Sequence, residues 1–381
     1  MAGEARSLAA SAVVMDPNDD ATRISDSDLV SVLELRRATE PPKVVMYKAR
    51  AEACDFYGWI WTTFALGGRP VRHTMPPLLS VLAVAVLRAL GTETDLLGGR
   101  WDVTDTAEYL KQGYSLMMVP LAFLLVYRLN RSAVRFYDAR AAAGKLIESC
   151  RILAGEATTY SAHNPGARDD ICRWVVAFPV ATRNYLRGVS PDPLLELEGV
   201  LSEAQARQMS KAPVQTLFCL DRMRWAAVQA TRTNTEDPSP VVAVQLQKME
   251  EQICILTGAF GAMERINNTP LPFAYVVHLR TCLVVYLLGL PFALPAAKAY
   301  ISIPMIFVIA YSLLGVESAA VACERPFANE MNHLPLDHFG NGVAENVLQI
   351  LEQAPSEQLS RAPARPHSPA SRAPYQRRQA A

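Results

Sequence analysis

Charge is scarce in this chain. Of its 381 residues only 19% are charged, where an ordinary soluble domain carries about 25%. Lysine plus arginine balance aspartate plus glutamate at 37 each. That balance gives no support for a nucleic-acid partner, whose phosphates ask for a basic excess. Short catalytic signatures are missing too. There is no Gly-x-Gly-x-x-Gly, no phosphate-binding loop, no His-Glu-x-x-His and no Cys-x-x-Cys. No catalytic constellation remains, so the chain is expected to be no enzyme and to need no cofactor. The seven cysteines are dispersed and read as reduced, buried thiols. His333 and His338 alone are too few for a metal site. Residues 1–43 carry Asp16, Asp19, Asp20, Asp26, Asp28 and Glu34, unlike a signal or transit peptide.

What the chain has instead is apolar residues gathered into runs. Mean hydropathy is +0.09, but the excess is concentrated. One run goes from Met75 to Leu90, opened by Pro76-Pro77, which suits a first helical turn. A second goes from Tyr114 to Leu129. A third covers Thr281 to Ala297, led in by residues 274–280, and a fourth covers Ala299 to Ala322, broken only by Glu317. Helices crossing a bilayer need about 20 apolar residues, and the spacing predicts spans at about 75–91, 113–130, 274–297 and 299–322. The last two form a hairpin around Lys298.

Loop charge orients the spans. Glu93, Asp95, Asp102, Asp105 and Glu108 lie between the first two. Lys43, Lys48, Arg50, Arg69 and Arg72 precede the first, and Arg128, Arg131, Arg135, Arg140, Lys145 and Arg151 follow the second. The basic flanks belong on the cytoplasmic or stromal side, with both termini. Residues 131–270 are mostly helical in pattern and read as a cytosolic block. Two spans precede it and two follow, so it packs under the membrane part. Residues 351–381 turn to Ala, Pro, Ser and Arg, a composition that builds no core.

Two places hold polar or patterned residues of interest. Glu317 fits either helix packing, a lumen-facing acid or a gate. Val119, Phe123 and Tyr127 are four apart, so they share one helix face. On a lone helix that is ordinary packing. Around a symmetry axis the same stripe becomes three stacked apolar rings, which can gate by dewetting.

At Tyr127 the sequence becomes similar to a known family. Tyr127-Arg128-Leu129-Asn130, then Arg135-Phe136-Tyr137-Asp138-Ala139-Arg140 and Gly144, resembles the bestrophin signature. Ala177-Phe178, Arg183 and Leu186-Arg187-Gly188 resemble its next helix. Thr269 through Tyr275, with Pro270 and Pro272, and His278-Leu279-Arg280, resemble the approach to its third span. Glu324-Arg325-Pro326-Phe327, Asn332 and Leu334-Pro335-Leu336-Asp337 resemble the segment after its fourth. The patches come in order across residues 44–350, closer to the plant and bacterial branch than to the animal one.

The resemblance implies an all-α integral membrane protein with four transmembrane helices and a cytosolic helical block. It implies a homopentamer around one axial pore that passes chloride and other monovalent anions, bicarbonate often among them; nitrate is a further candidate because an apolar neck favours weakly hydrated anions. It also implies an apolar neck of Val119, Phe123 and Tyr127 and an inner aperture at Val244. Arg128, Asn130, Arg135, Asp138, Arg140, Pro270, Pro272, Pro326 and Asp337 become structural residues. Animal members carry clustered calcium-binding acids after the fourth span. Here only Glu330 and Asp337 stand there, with His333 where Asp is common, so they are weak calcium candidates. The expected partners are anions, lipid and copies of the same chain. A plastid thylakoid membrane is one expected location and the plasma membrane the other. The alternative from another class is a non-conducting membrane scaffold of the same fold.

Overall fold

The computed structural model describes residues 71–93, 104–232, 240–294, 298–329 and 332–354. The acidic lead (1–43), Glu330 and the tail from residue 355 lie outside the described residues. Ten α-helices make up the described part: α1 Val71–Glu93, α2 Thr104–Tyr160, α3 Pro165–Arg187, α4 Pro193–Glu196, α5 Glu203–Ser210, α6 Gln215–Thr231, α7 Pro240–Asn268, α8 Phe273–Ala293, α9 Ala299–Glu324 and α10 Leu336–Glu352. The β-structure among these residues is one bridge between Glu198 and Leu201. Helices α1, α2, α8 and α9 each hold a stretch long and apolar enough to cross a membrane. They correspond in order to the four apolar runs.

Three boundaries differ from the sequence reading. Helix α1 starts at Val71, so Pro76 and Pro77 sit inside it. The added turn is held by tertiary contact: Thr74 Oγ1 and Ser318 Oγ of α9 share a buried 2.8 Å hydrogen bond. Helix α8 ends at Ala293, short of residue 297. The largest difference is in α2, where no break falls at residue 131. The helix runs without interruption for 57 residues, so the second span continues directly into the block below.

The packing of α2 explains its length. Leu121, Leu125, Arg128, Ser132, Ala139, Ala143, Leu146, Cys150, Leu153 and Ala157 are all buried. Their steps of three and four, with one of seven, draw a single stripe down the helix. The upper end of the stripe packs with Leu78, Val81, Leu283, Leu287, Ile306 and Ala310 of the other spans. The lower end packs with Phe178, Leu220, Met223, Ile253, Leu256 and Val347 of the block. One helix therefore belongs to two hydrophobic clusters. Of the cysteines, Cys150, Cys172 and Cys219 are buried, Cys254 is exposed, and Cys282 and Cys323 are half-buried; all six are free thiols.

Local chemistry closes the helices where the sequence supplies it. The Asn164 side chain caps α3, with Pro165 in its first turn. Ser202 and Gln205 form a reciprocal capping box on α5. Gly188 ends α3 at φ 64°, a left-handed conformation that favours glycine. From there its N–H donates to Tyr185 O and the N–H of Val189 to Asn184 O. Arg88 of α1 donates to the Pro291 and Leu294 carbonyls at the end of α8, a favourable place for a cation.

Spans two and three approach each other closely at Gly289. A side chain there would overlap the Tyr114 hydroxyl, and the Tyr114 ring already packs 5.0 Å from that of Tyr286. Gly289→Val should therefore lower the thermal midpoint in detergent, with a cost of about 1–3 kcal/mol. Adding Tyr114→Ala should recover part of the loss, and a double variant no better than the single one would contradict this contact.

Candidate functional site

Val119, Phe123 and Tyr127 stand on the face of α2 opposite its buried stripe, since α-helical residues advance by about 100° each. Val119 is 74% exposed and Phe123 70%, though both sit in a span. The buried positions beside them, Leu121 and Leu125, are only 2% exposed. Asn130 continues the exposed face one turn further on. The chain thus presents an uncovered apolar stripe next to a packed one.

Tyr127 is the member of the stripe that is gripped. Its ring meets Tyr275 of α8 edge-on at 5.8 Å, and the Arg131 guanidinium lies 6.0 Å from its centre. Tyr275 in turn donates through its hydroxyl to Leu124 O at 3.0 Å. The bend before α8 is fixed from the same helix. Arg135 donates to the carbonyls of Thr269 and Ile266, each at 2.6 Å, so a cation closes the end of α7. Pro272 then caps α8. Pro270 is exposed.

Behind the stripe is a charge cluster. The Arg128 side chain is 0% exposed, with Nε 2.6 Å from Glu317 Oε2 and Nη2 3.2 Å from Glu324 Oε2. The second Glu317 oxygen receives Arg280 Nε at 2.8 Å. The second Glu324 oxygen accepts the Leu271 N–H at 3.4 Å. Two arginines from α2 and α8 thus face two glutamates from α9. Sequence reasoning named Arg128 as a flanking cation and a signature residue and missed Glu324 and Arg280 as its companions. The signal was present: an acid within an apolar run needs a cation near it, and Arg128 stands at the end of the second run.

The other predicted residues scatter over the block. Arg140 is exposed and lies 4.8 Å over the Phe339 ring of α10. Gly144 leaves room for it, because a Cβ there would sit 3.1 Å from Arg140 Nη1. Asp138 is exposed and Pro326 buried, the latter accepting the Leu334 N–H at 2.7 Å. Val244 is 56% exposed in the second turn of α7. Helix α7 runs antiparallel to α2: its end meets Arg135, while Lys248 and Glu251 lie near Glu156. Counting along α2 from Tyr127 to Glu156, and a further turn of α7 from Lys248 back to Val244, Val244 is displaced from the stripe by about 50 Å.

Asp337, one of the two calcium candidates, faces cations. Its Oδ1 is 2.8 Å from Arg183 Nη1 and its Oδ2 2.7 Å from Arg187 Nη2. Among the described residues no group of three His, Cys, Asp or Glu gathers for a metal. Arg183 also pairs with Glu196, so the end of α3 is tied to both α4 and α10. These residues line a cleft of about 1810 Å³ that also reaches Arg280, Glu317 and Arg325.

Comparison with known proteins agrees with this architecture. The family profile described as Bacterial/Fungal Bestrophin protein matches residues 54–349. A voltage-dependent anion channel-forming protein of Synechocystis is 28% identical over 310 residues, covering 79% of this chain and 95% of that protein. One of the same description from Nostoc is 27% identical over 252 residues, covering 64% of this chain and 78% of that protein. A crystal structure of a bacterial bestrophin homolog from Klebsiella pneumoniae superposes with a TM-score of 0.62 at 24% identity. It covers 73% of this chain and 98% of that one, and at that identity it speaks for the fold alone. The chain is a multi-pass membrane protein.

The Asp337 contacts predict a pH dependence. Burial pushes its carboxyl up, but the hydrogen bond and charge of Arg187, then those of Arg183, outweigh burial and hold it below the usual carboxylate value. A depressed folded-state value stabilises above the unfolded pKa, about 3.9. That stabilisation is lost as pH falls through the folded value. Asp337→Asn should thus melt below the parent protein at neutral pH, and the gap should close on acidification. A gap of constant size from pH 7 to pH 3 would contradict the pairing.

Proposed function

This chain belongs to the bacterial and fungal bestrophin family, and on that footing we propose that it is an anion channel. Five copies surround one axis, and α2 of each copy lines the pore. The carrying observation is the uncovered stripe: Val119 and Phe123 are 74% and 70% exposed beside a packed face. Five-fold repetition turns that stripe into rings of Val119, Phe123 and Tyr127. The names of the relatives from Synechocystis and Nostoc support the same reading. Val244, farther along, forms the inner aperture. The basic flanks place both termini on the cytoplasmic or stromal side. Residues 44–350 then form the channel unit, with polar extensions at either end.

Selectivity follows from hydration. A neck of apolar rings offers no group to replace water around an ion, and a narrow one dewets when closed. An ion that passes sheds part of its shell, which costs least for large, weakly hydrated anions. Chloride, nitrate and bicarbonate are the candidates for the native cargo. Tyr127 places a hydroxyl on the last ring and makes it more wettable than an all-hydrocarbon one.

Reconstitution into planar bilayers under a KCl gradient tests the reading. The current should reverse near the chloride equilibrium potential. Nitrate, bromide and iodide should permeate at least as well as chloride, and preference for chloride over iodide would contradict passage through an apolar neck. Changing Val119, Phe123 and Tyr127 together to Ala should raise basal current several-fold, because the rings no longer exclude water. No current from verified pentamers would favour a non-conducting scaffold.

A further inference from the structure

We propose that Glu317 is the pivot of a two-position latch that holds the neck helix in its closed orientation. The inference rests on the channel reading above and assigns a positioning role to residues off the pore. The stripe of Val119, Phe123 and Tyr127 and the buried stripe of Leu121, Leu125, Arg128 and Ser132 lie on opposite faces of α2. Turning the rings away from an axis therefore shifts Arg128 relative to Glu317 on α9. The Arg128 side chain is fully buried, with its Nε on Glu317 and its Nη2 on Glu324, so any such turn works against that ion pair.

One detail makes the cluster a latch and not a plain brace: Glu317 has a reserve partner. Its other oxygen holds Arg280, whose side chain is 51% exposed. When Arg128 shifts off Glu317, Glu317 keeps Arg280, and Arg128 keeps Glu324 further along α9. Neither buried charge is stranded in the second position, so both positions are accessible and the cluster can serve as a bistable element. Tyr275, which grips Tyr127, lies five residues before Arg280 on α8, so the grip on the ring and the reserve cation share one helix.

The latch predicts opposite signs for its two arms. Full-length protein and variants are reconstituted as pentamers, and single-channel open probability, unit conductance and reversal potential are read together. Glu317→Gln removes the pivot and should raise open probability about fivefold or more, within the usual range of coupling between two states. Conductance and reversal potential should stay unchanged, since Glu317 is off the lumen. Arg280→Gln removes the reserve partner, makes Glu317 depend on Arg128, and should lower open probability by a similar factor. Arg280 is half exposed, so its variant decides the matter even if Glu317→Gln fails to assemble. Unchanged open probability in Arg280→Gln, or a shift of both variants in the same direction, overturns the latch while leaving the channel reading intact. Absence of current from the parent protein defeats the channel reading, and the latch falls with it.

Discussion

A guanidinium taken out of water has to be met by opposite charge, and Arg128 is met by two carboxylates. Burying the ions is itself costly, so such a cluster is weak support for net stability. Its effect is on geometry: removing one partner of a buried pair costs about 3–5 kcal/mol, and alternatives that separate the charges are thereby disfavoured. Because the arginine is on α2 and both glutamates are on α9, the angle of α2 about its own axis is set against the fourth span. Everything α2 carries inherits that setting, including the exposed stripe and the grip of Tyr275 on Tyr127.

The same helix connects two cores that would otherwise be independent. Leu121 and Leu125 pack among the spans, and Ala139 through Ala157 pack in the block. Small residues on the lower stripe let α7 and α10 come close, while larger ones on the partner helices fill the space. Arg135 fastens the end of α7 to α2 by two carbonyls. The bend into the third span is therefore positioned from the helix that carries the neck, and a displacement of either is felt by the other.

Much of this could be read from residue order, because each span is a long apolar run and α8 and α9 are nearly free of charge. The stripe of Val119, Phe123 and Tyr127 was legible from its spacing, and the signature from Tyr127 to Gly144 placed it in a family. The unbroken passage through residue 131 was not legible. There the buried stripe contains Arg128, Ser132, Ala139 and Ala143, polar or small residues that carry no hydrophobic period, and the charged face from Arg131 to Arg140 resembles a loop in composition. Pairings across sequence were also hidden. Arg128 with Glu317, and Asp337 with Arg183 and Arg187, join residues more than a hundred positions apart, and composition supplies no distance. From sequence Asp337 was a weak calcium candidate; the cations beside it in the fold are guanidinium groups of the same chain.

The length of α2 has an electrical consequence. At about 1.5 Å per residue its 57 residues extend roughly 85 Å, while the hydrocarbon layer is only about 30 Å thick. The stretch that holds Val119, Phe123 and Tyr127 falls within that layer, while Val244 lies about 50 Å further along the helix. The potential along a pore drops where the path is narrow, so the proposed neck and the proposed aperture divide the membrane voltage between them, one inside the lipid and the other well outside it.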